Sequence, residues 1–285
     1  MAEIPRLNGF ARALAAGRPA FSCFMPPEPE MAWQLATSKY DGVVIEAEHR
    51  GYDITNIRHA LQYMLNRGQI ANGGVAPQVT PLVRVPTNGI EKAQFHAKQV
   101  LDAGAYGVVW PHISSVDEAY AAISACRYPR LPTADRYEPV GMRGDGPAQA
   151  TRYWGVTQQE YYDRADLWPY DPNGEVFVVL QMEDIKGIEA LDDILTKVKG
   201  IGAVLVGLGD LSQELGYPRQ EEHPEVLKYF WKVADICKKH GVAAGHPRVT
   251  PENAPELVAR GVKFLMSQPV LSYNTMLKSR EALGI

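Results

Sequence analysis

The sequence predicts a (β/α)8 barrel, and three observations carry that prediction. Short β-rich runs alternate with longer amphipathic stretches through eight rounds in 285 residues, a length that fits a fold of typically about 250. Residues 176–210 read as strand, helix, strand, and each strand runs out into one acid, Glu183 or Asp210. Polar residues also recur just past the ends of strands two to seven, where a barrel keeps its chemistry. An open doubly wound sheet is the alternative. Its glycine fingerprint is missing, because Met25 runs into Pro26, Pro27 and Glu28, and GLGDLS at 207–212 is not that fingerprint.

Taken in order, Leu7 to Ala15 reads as an extra helix before the first strand. The strands are Ala20 to Met25, Gly42 to Ala47, Pro81 to Val85, Gly107 to Trp110, Phe177 to Met182, Ala203 to Leu208, Val242 to Gly245 and Phe264 to Ser267. Between them lie amphipathic stretches at Glu30 to Ser38, Ile54 to Leu65, Ile90 to Ala103, Val116 to Cys126, Ile188 to Val198, Pro224 to His240 and Ala254 to Arg260. In the fifth of these, Ile188, Leu191, Ile194 and Leu195 recur at helical spacing. Tyr273 to Leu283 closes the pattern. Two connections are long. Asn66 to Thr80 is polar and Gly-rich, and Arg130 to Trp154 carries GMRGDG before a helical Thr157 to Ala165; loops of this length read as lids or oligomer contacts. No linker or repeat divides the chain, so residues 1–285 are expected to form one barrel domain.

Composition removes several functions. A net charge of -4 with no Lys/Arg stripe gives no footprint for nucleic acid. No apolar run approaches the ~20 residues of a membrane helix, and the N-terminus lacks a signal-peptide core, so a cytoplasmic protein acting on small molecules is expected. Cys23, Cys126 and Cys237 are widely spaced and read as reduced packing residues, and no HExxH spacing supports a zinc protease. No lysine lies inside strands two to seven, and Lys263 opens strand eight at the wrong end for chemistry, which argues against a Schiff-base aldolase.

The rim residues are Glu46, Glu48 and His49 after strand two, Arg84 on strand three, His112 after four, Gln181 and Glu183 on five, Asp210 after six and His246 after seven. Each has an ordinary reading. Glu183 alone is a favourable acid at a helix N-terminus and Asp210 alone an N-cap, but two acids on adjacent strands, with Gln181 beside one, point to a hard six-coordinate ion such as Mg²⁺ or Mn²⁺. Arg84 in the apolar PLVRVP is either a salt bridge to a rim acid or a fork for a substrate carboxylate or enolate oxygen. His49 is a candidate general base, whereas His59, His96 and His240 lie in helical patterns and read as packing.

DGVVIEAEH, PLVRVP, KQVLDAGAYGVVWPHISSVDEAYAAISACRYP, GMRGDG, VVLQME and VLVGLGDLSQELGYP, in that order, resemble the metal-dependent (class II) pyruvate aldolases of the HpcH/HpaI type, from about Gly9 to the C-terminus. That resemblance implies a TIM barrel of the phosphoenolpyruvate/pyruvate-binding type, hexameric as a trimer of dimers, with the last helix exchanged between subunits. It also implies Mg²⁺, Mn²⁺ or Co²⁺ as cofactor, and aldol cleavage of a 4-hydroxy-2-oxo acid to pyruvate and an aldehyde. By motif, Glu183 and Asp210 would hold the metal, Gln181 and the backbone at Gly209 and Asp210 the 2-oxo acid. His49 would be the base, Arg84 the transition-state stabiliser, and Asp102 an acid reaching the histidine of a neighbouring subunit. The sequence departs from the family in three motifs, and the loop around Asn72 and the segment before Tyr170 are longer than the family's usual. Glu46, Ala47, Glu48, His49 stand for Asp-Gly-Glu-His, Leu208 and Gly209 for Pro-Ala, and Trp110, Pro111, His112 for Val-Pro-Met. Oxaloacetate decarboxylation through the same enolate, and non-catalytic binding of a 2-oxo acid, are the alternatives; the roles of His112, Arg143 and His246 stay open.

Overall fold

Runs of valine, isoleucine, leucine and phenylalanine suit a strand covered on both faces, and eight of them pair in parallel and close on themselves in chain order. They are β1 (Ala20–Met25), β2 (Gly42–Glu46), β3 (Thr80–Arg84), β4 (Gly107–Trp110), β5 (Phe177–Met182), β6 (Ala203–Val206), β7 (Ala243–His246) and β8 (Val262–Ser267). Closure runs through β1 and β8, where Ala20 pairs with Phe264 and Cys23 with Ser267. The structure is a computed structural model that describes residues 4–86, 93–267 and 274–285.

Helices fill the crossovers: α1 (Gly9–Ala15), α2 (Pro29–Leu35), α3 (Ile54–Tyr63), α4 (Arg67–Ala71), α5 (Phe95–Ala103), α6 (Val116–Ala125), α7 (Ala148–Trp154), α8 (Gln158–Arg164), α9 (Ile185–Lys197), α10 (Leu208–Glu214), α11 (Pro224–His240), α12 (Ala254–Ala259) and α13 (Asn274–Leu283). The expected elements are present, with shifted ends. The sixth strand stops at Val206 rather than Leu208, because Leu208 opens α10 and carries Gly209 and Asp210 into its first turn. α9 starts at Ile185, where the Asp184 side chain accepts the Gly187 N–H at 2.6 Å. The beginning of the stretch from Ile90, and Tyr273, lie outside the described residues. Both long connections hold short helices that periodicity did not reveal, α4 in the first and α7 in the second.

The extra helix α1 seals the end of the barrel where the strands begin. Asn8 caps it by accepting the Phe10 and Ala11 N–H groups, and the Glu175 carboxylate accepts those of Leu7 and Asn8 at 3.0 and 2.8 Å. Phe10 then stacks on Phe177 at 5.5 Å and meets Phe264 at 5.4 Å. Gly42 makes room for it, since a Cβ there would stand 2.1 Å from the Phe10 ring. With that end plugged, only the opposite rim is free for chemistry. Phe10→Ala is expected to cost about 3–5 kcal/mol in urea unfolding, the range for truncating a buried aromatic.

All three cysteines are free and buried, and burial pushes the Cys23 and Cys126 thiols up to about 12. Lys263 is exposed on β8, away from the rim. Within this chain α13 lies beside α12, and its Arg280 reaches Asp41 at 3.4 Å. No described helix is long and apolar enough to cross a membrane.

Candidate active site

Glu46 and Arg84 end neighbouring strands in direct register, so their side chains meet at the rim. Arg84 donates from Nε to Glu46 Oε1 at 3.2 Å and from Nη2 to Glu46 Oε2, while Nη1 lies 3.1 Å from Glu48 Oε2 and 3.4 Å from Gln181 Oε1. The guanidinium also stacks 4.3 Å over Phe24. Arg84 is therefore the rim salt bridge that one sequence reading described, and it also lines the cavity that the other reading requires. Glu46 Oε1 additionally accepts the N–H groups of Glu48 (2.8 Å) and His49 (3.3 Å), which fixes the turn that carries the histidine. The His49 ring is largely exposed, with Nε2 3.5 Å from Glu48 Oε2.

Glu183 follows β5 and is buried. Its Oε1 accepts the His112 N–H at 3.0 Å, and Gln181 and Asp210 lie near enough to act on its carboxyl. Burial raises its pKa to about 7, and the Glu48 and Asp210 carboxylates push the same way. Glu48 is raised too, chiefly by burial. Gly207, after β6, lets Glu183 lie where it does: an added Cβ would stand 2.1 Å from Glu183 Oε2. Gly207→Ala is accordingly expected to displace that carboxylate and weaken divalent-ion affinity about tenfold or more by calorimetry, with unfolding little changed.

Phe24, Glu46, His49, Arg84, Gln181, Glu183 and Gly207 line a cavity of about 590 Å³ together with Arg50, Gly209, Asp210, Arg219 and Arg248, while Glu48 and His112 are not among its lining residues. The structure thus brings His49, Arg84, Gln181, Glu183, Gly209 and Asp210 together. Asp102 is not among the lining residues; near the end of α5 it pairs instead with Arg143 at 2.8 Å. Arg143 is buried, donates to the Tyr161 hydroxyl at 2.6 Å and stacks on Tyr128, which makes it the anchor of the GMRGDG loop. His246 packs edge-on against Phe230, its Nδ1 accepts the Arg248 N–H at 3.1 Å, and burial lowers it to about 4, so it is neutral at pH 7.

Two rim residues without an assigned sequence role belong to the centre. Donor atoms of Glu48, His112 and Glu183 lie within 4.8 Å of one another; Asp210, which lines the cavity with Glu183, is not part of that group. Arg84 meets Glu48 Oε2, and the remaining oxygen-rich donor set, with Glu48 and Glu183 held toward their neutral forms by burial, fits a divalent ion. His112 could be found from its place after strand four, but not its backbone, which is left-handed at φ 52°.

Fold and site define a (β/α)8-barrel enzyme with acidic residues suited to a divalent cation set beside an arginine-lined cavity. The chain belongs to the HpcH/HpaI aldolase/citrate lyase family, whose model matches residues 21–268. It is 31% identical over 259 residues to a 2-keto-3-deoxy-L-rhamnonate aldolase of Klebsiella pneumoniae, covering 90% of this chain and 85% of that one. A Salmonella gallinarum protein of the same description is 33% identical over 257 residues, with coverage of 89% and 84%. Among solved structures, an HpcH/HpaI aldolase/citrate lyase family protein from Burkholderia cenocepacia J2315 superposes with a TM-score of 0.75 at 25% identity, covering 97% and 98% of the two chains. The HpcH/HpaI aldolase from Desulfitobacterium hafniense DCB-2 gives 0.72 at 26%, covering 96% and 93%. The curated relatives are carbon–carbon lyases by name.

Proposed function

We propose that this chain cleaves a 4-hydroxy-2-oxo acid to pyruvate, or a related 2-oxo acid, and an aldehyde, and catalyses the reverse addition. The observation that carries the reading is one cavity lined by a fixed guanidinium (Arg84), a buried amide (Gln181), a buried acid (Glu183) and an exposed imidazole (His49). Glu183 and Asp210 would hold the divalent ion, Mg²⁺, Mn²⁺ or Co²⁺, which when bound supplies positive charge to the 2-oxo acid's carboxylate and keto oxygens. Gln181 orients that acid, and the first-turn N–H groups of α10 at Gly209 and Asp210 face its carboxylate.

His49 accepts the C4 hydroxyl proton as the C3–C4 bond breaks, and the bonding pair moves toward the 2-oxo oxygen, whose growing charge Arg84 meets with Nη1. The aldehyde leaves, and the enolate carbon takes the proton back from the His49 imidazolium to give the methyl group and restore the neutral base. The remaining expectations belong to the same reading: one barrel domain in a cytoplasmic hexamer, a trimer of dimers with exchanged C-terminal helices, in which Asp102 reaches His49 of a neighbouring subunit. The test is pyruvate release from a panel of 4-hydroxy-2-oxo acids that includes 2-keto-3-deoxy-L-rhamnonate. Loss of turnover in EDTA and recovery with Mg²⁺, Mn²⁺ or Co²⁺ is expected, and full activity in excess EDTA contradicts the reading.

A further inference from the structure

We infer that His112 is itself a ligand of the divalent ion, its Nε2 acting with Glu183 and Glu48, so that this site favours nitrogen-accepting ions such as Co²⁺ over Mg²⁺. The inference rests on the ion of the proposed reaction but concerns which atoms hold it. His112 Nε2 lies 3.6 Å from Glu48 Oε1 and 3.6 Å from Glu183 Oε1. Both gaps exceed a hydrogen bond, which ends near 3.2 Å. They suit two ligands of one ion, because donors bonded at about 2.0–2.2 Å stand up to about 4.2 Å apart.

Two further features point the ring and the acid to one place. The His112 backbone is left-handed, a conformation that non-glycine residues adopt at a cost, and its N–H is tied to the same Glu183 oxygen. The turn after β4 is thereby anchored to the acid that its own side chain approaches. The Glu48 side chain is nine-tenths buried; its Oε2 has the charge contact with Arg84 but no aligned hydrogen bond, and its Oε1 is the atom facing His112. With Arg84 on Oε2, the Glu48 Oε1 oxygen turns to an imidazole too far to donate to it, and a second acid stands at the same distance from that ring, an arrangement suited to a shared cation. Carboxylates alone suit Mg²⁺ and Mn²⁺, whereas an added imidazole shifts preference toward Co²⁺, Ni²⁺ and Zn²⁺.

Pulsed EPR of metal-stripped protein reloaded with Mn²⁺ reads the ligand directly, through electron spin-echo modulation from a bound ¹⁴N. The expected result is nitrogen modulation in the unmodified protein and in His49→Gln, and none in His112→Asn, a replacement that tolerates the left-handed backbone. Calorimetry on His112→Asn should show Co²⁺ affinity falling about tenfold or more, while Mg²⁺ affinity changes far less. Mn²⁺ binding without nitrogen modulation overturns the inference and leaves the aldolase reading standing. Modulation that survives His112→Asn, or vanishes in His49→Gln, also overturns it. Failure to bind Mn²⁺ at all overturns both.

Discussion

Glu183→Gln is expected to lower kcat/KM by about three orders of magnitude or more and to make the metal-free protein more stable above pH 7. The first effect follows from removing a charge proposed to hold the cation, since charge stabilisation by a bound ion contributes several kcal/mol. The second follows from burial. In the folded chain Glu183 keeps its proton to about pH 7, whereas the unfolded chain releases it near the ordinary glutamate value of 4.5. Between those values the native state binds more protons than the unfolded state, so this group's contribution makes stability fall as pH rises, by a few kcal/mol, and level off above about 7. The neutral amide removes that slope. Divalent metal should flatten it as well, by stabilising the carboxylate in place. Urea unfolding from pH 5 to 8, with and without Mn²⁺, checks each part; the same pH slope in Glu183→Gln as in the unmodified protein contradicts the assignment.

Arg84→Ala should lower kcat about 10²–10³-fold, the range for losing one donor to a developing oxyanion. It should also destabilise the fold by about 3–5 kcal/mol, because Glu46 and Glu48, each with a side chain 10% exposed, are left without their shared cation. Kinetics and unfolding therefore have to be measured on the same preparation. Arg84→Lys separates geometry from charge: an ammonium cannot fork onto both Glu46 oxygens and still reach Gln181, so most of the rate loss should persist with part of the stability recovered. A change confined to KM would mean that Arg84 binds substrate and transition state equally.

The barrel was legible because strands covered on both faces must be apolar throughout, and eight such runs stand out from amphipathic helices. Glu183 and Asp210 were legible because a strand end is where an apolar run meets its first acid. A salt bridge from Arg84 to a rim acid was legible, but not that the acid is Glu46, since that depends on a strand register between residues 38 apart in sequence. α10 was hidden by its seven-residue length and by Gly209, a poor helix former, in its first turn. α4 was hidden because it buries no side chain and so has no apolar face to read. His112 shows the same limit from another side: its position followed from the end of β4, but a left-handed backbone outside glycine leaves no pattern in the residues. Asp102 was reached only through family resemblance, and within this chain its partner is Arg143.

Exchange of deuterium into the methyl group of pyruvate, followed by NMR in D₂O, tests the central claim most directly because it needs no knowledge of the aldehyde. Metal-stripped protein is expected to show only background exchange, with rapid exchange on adding Mg²⁺, Mn²⁺ or Co²⁺ and its loss in Glu183→Gln. Pyruvate binding without exchange under any of these ions would contradict enolate chemistry at this site.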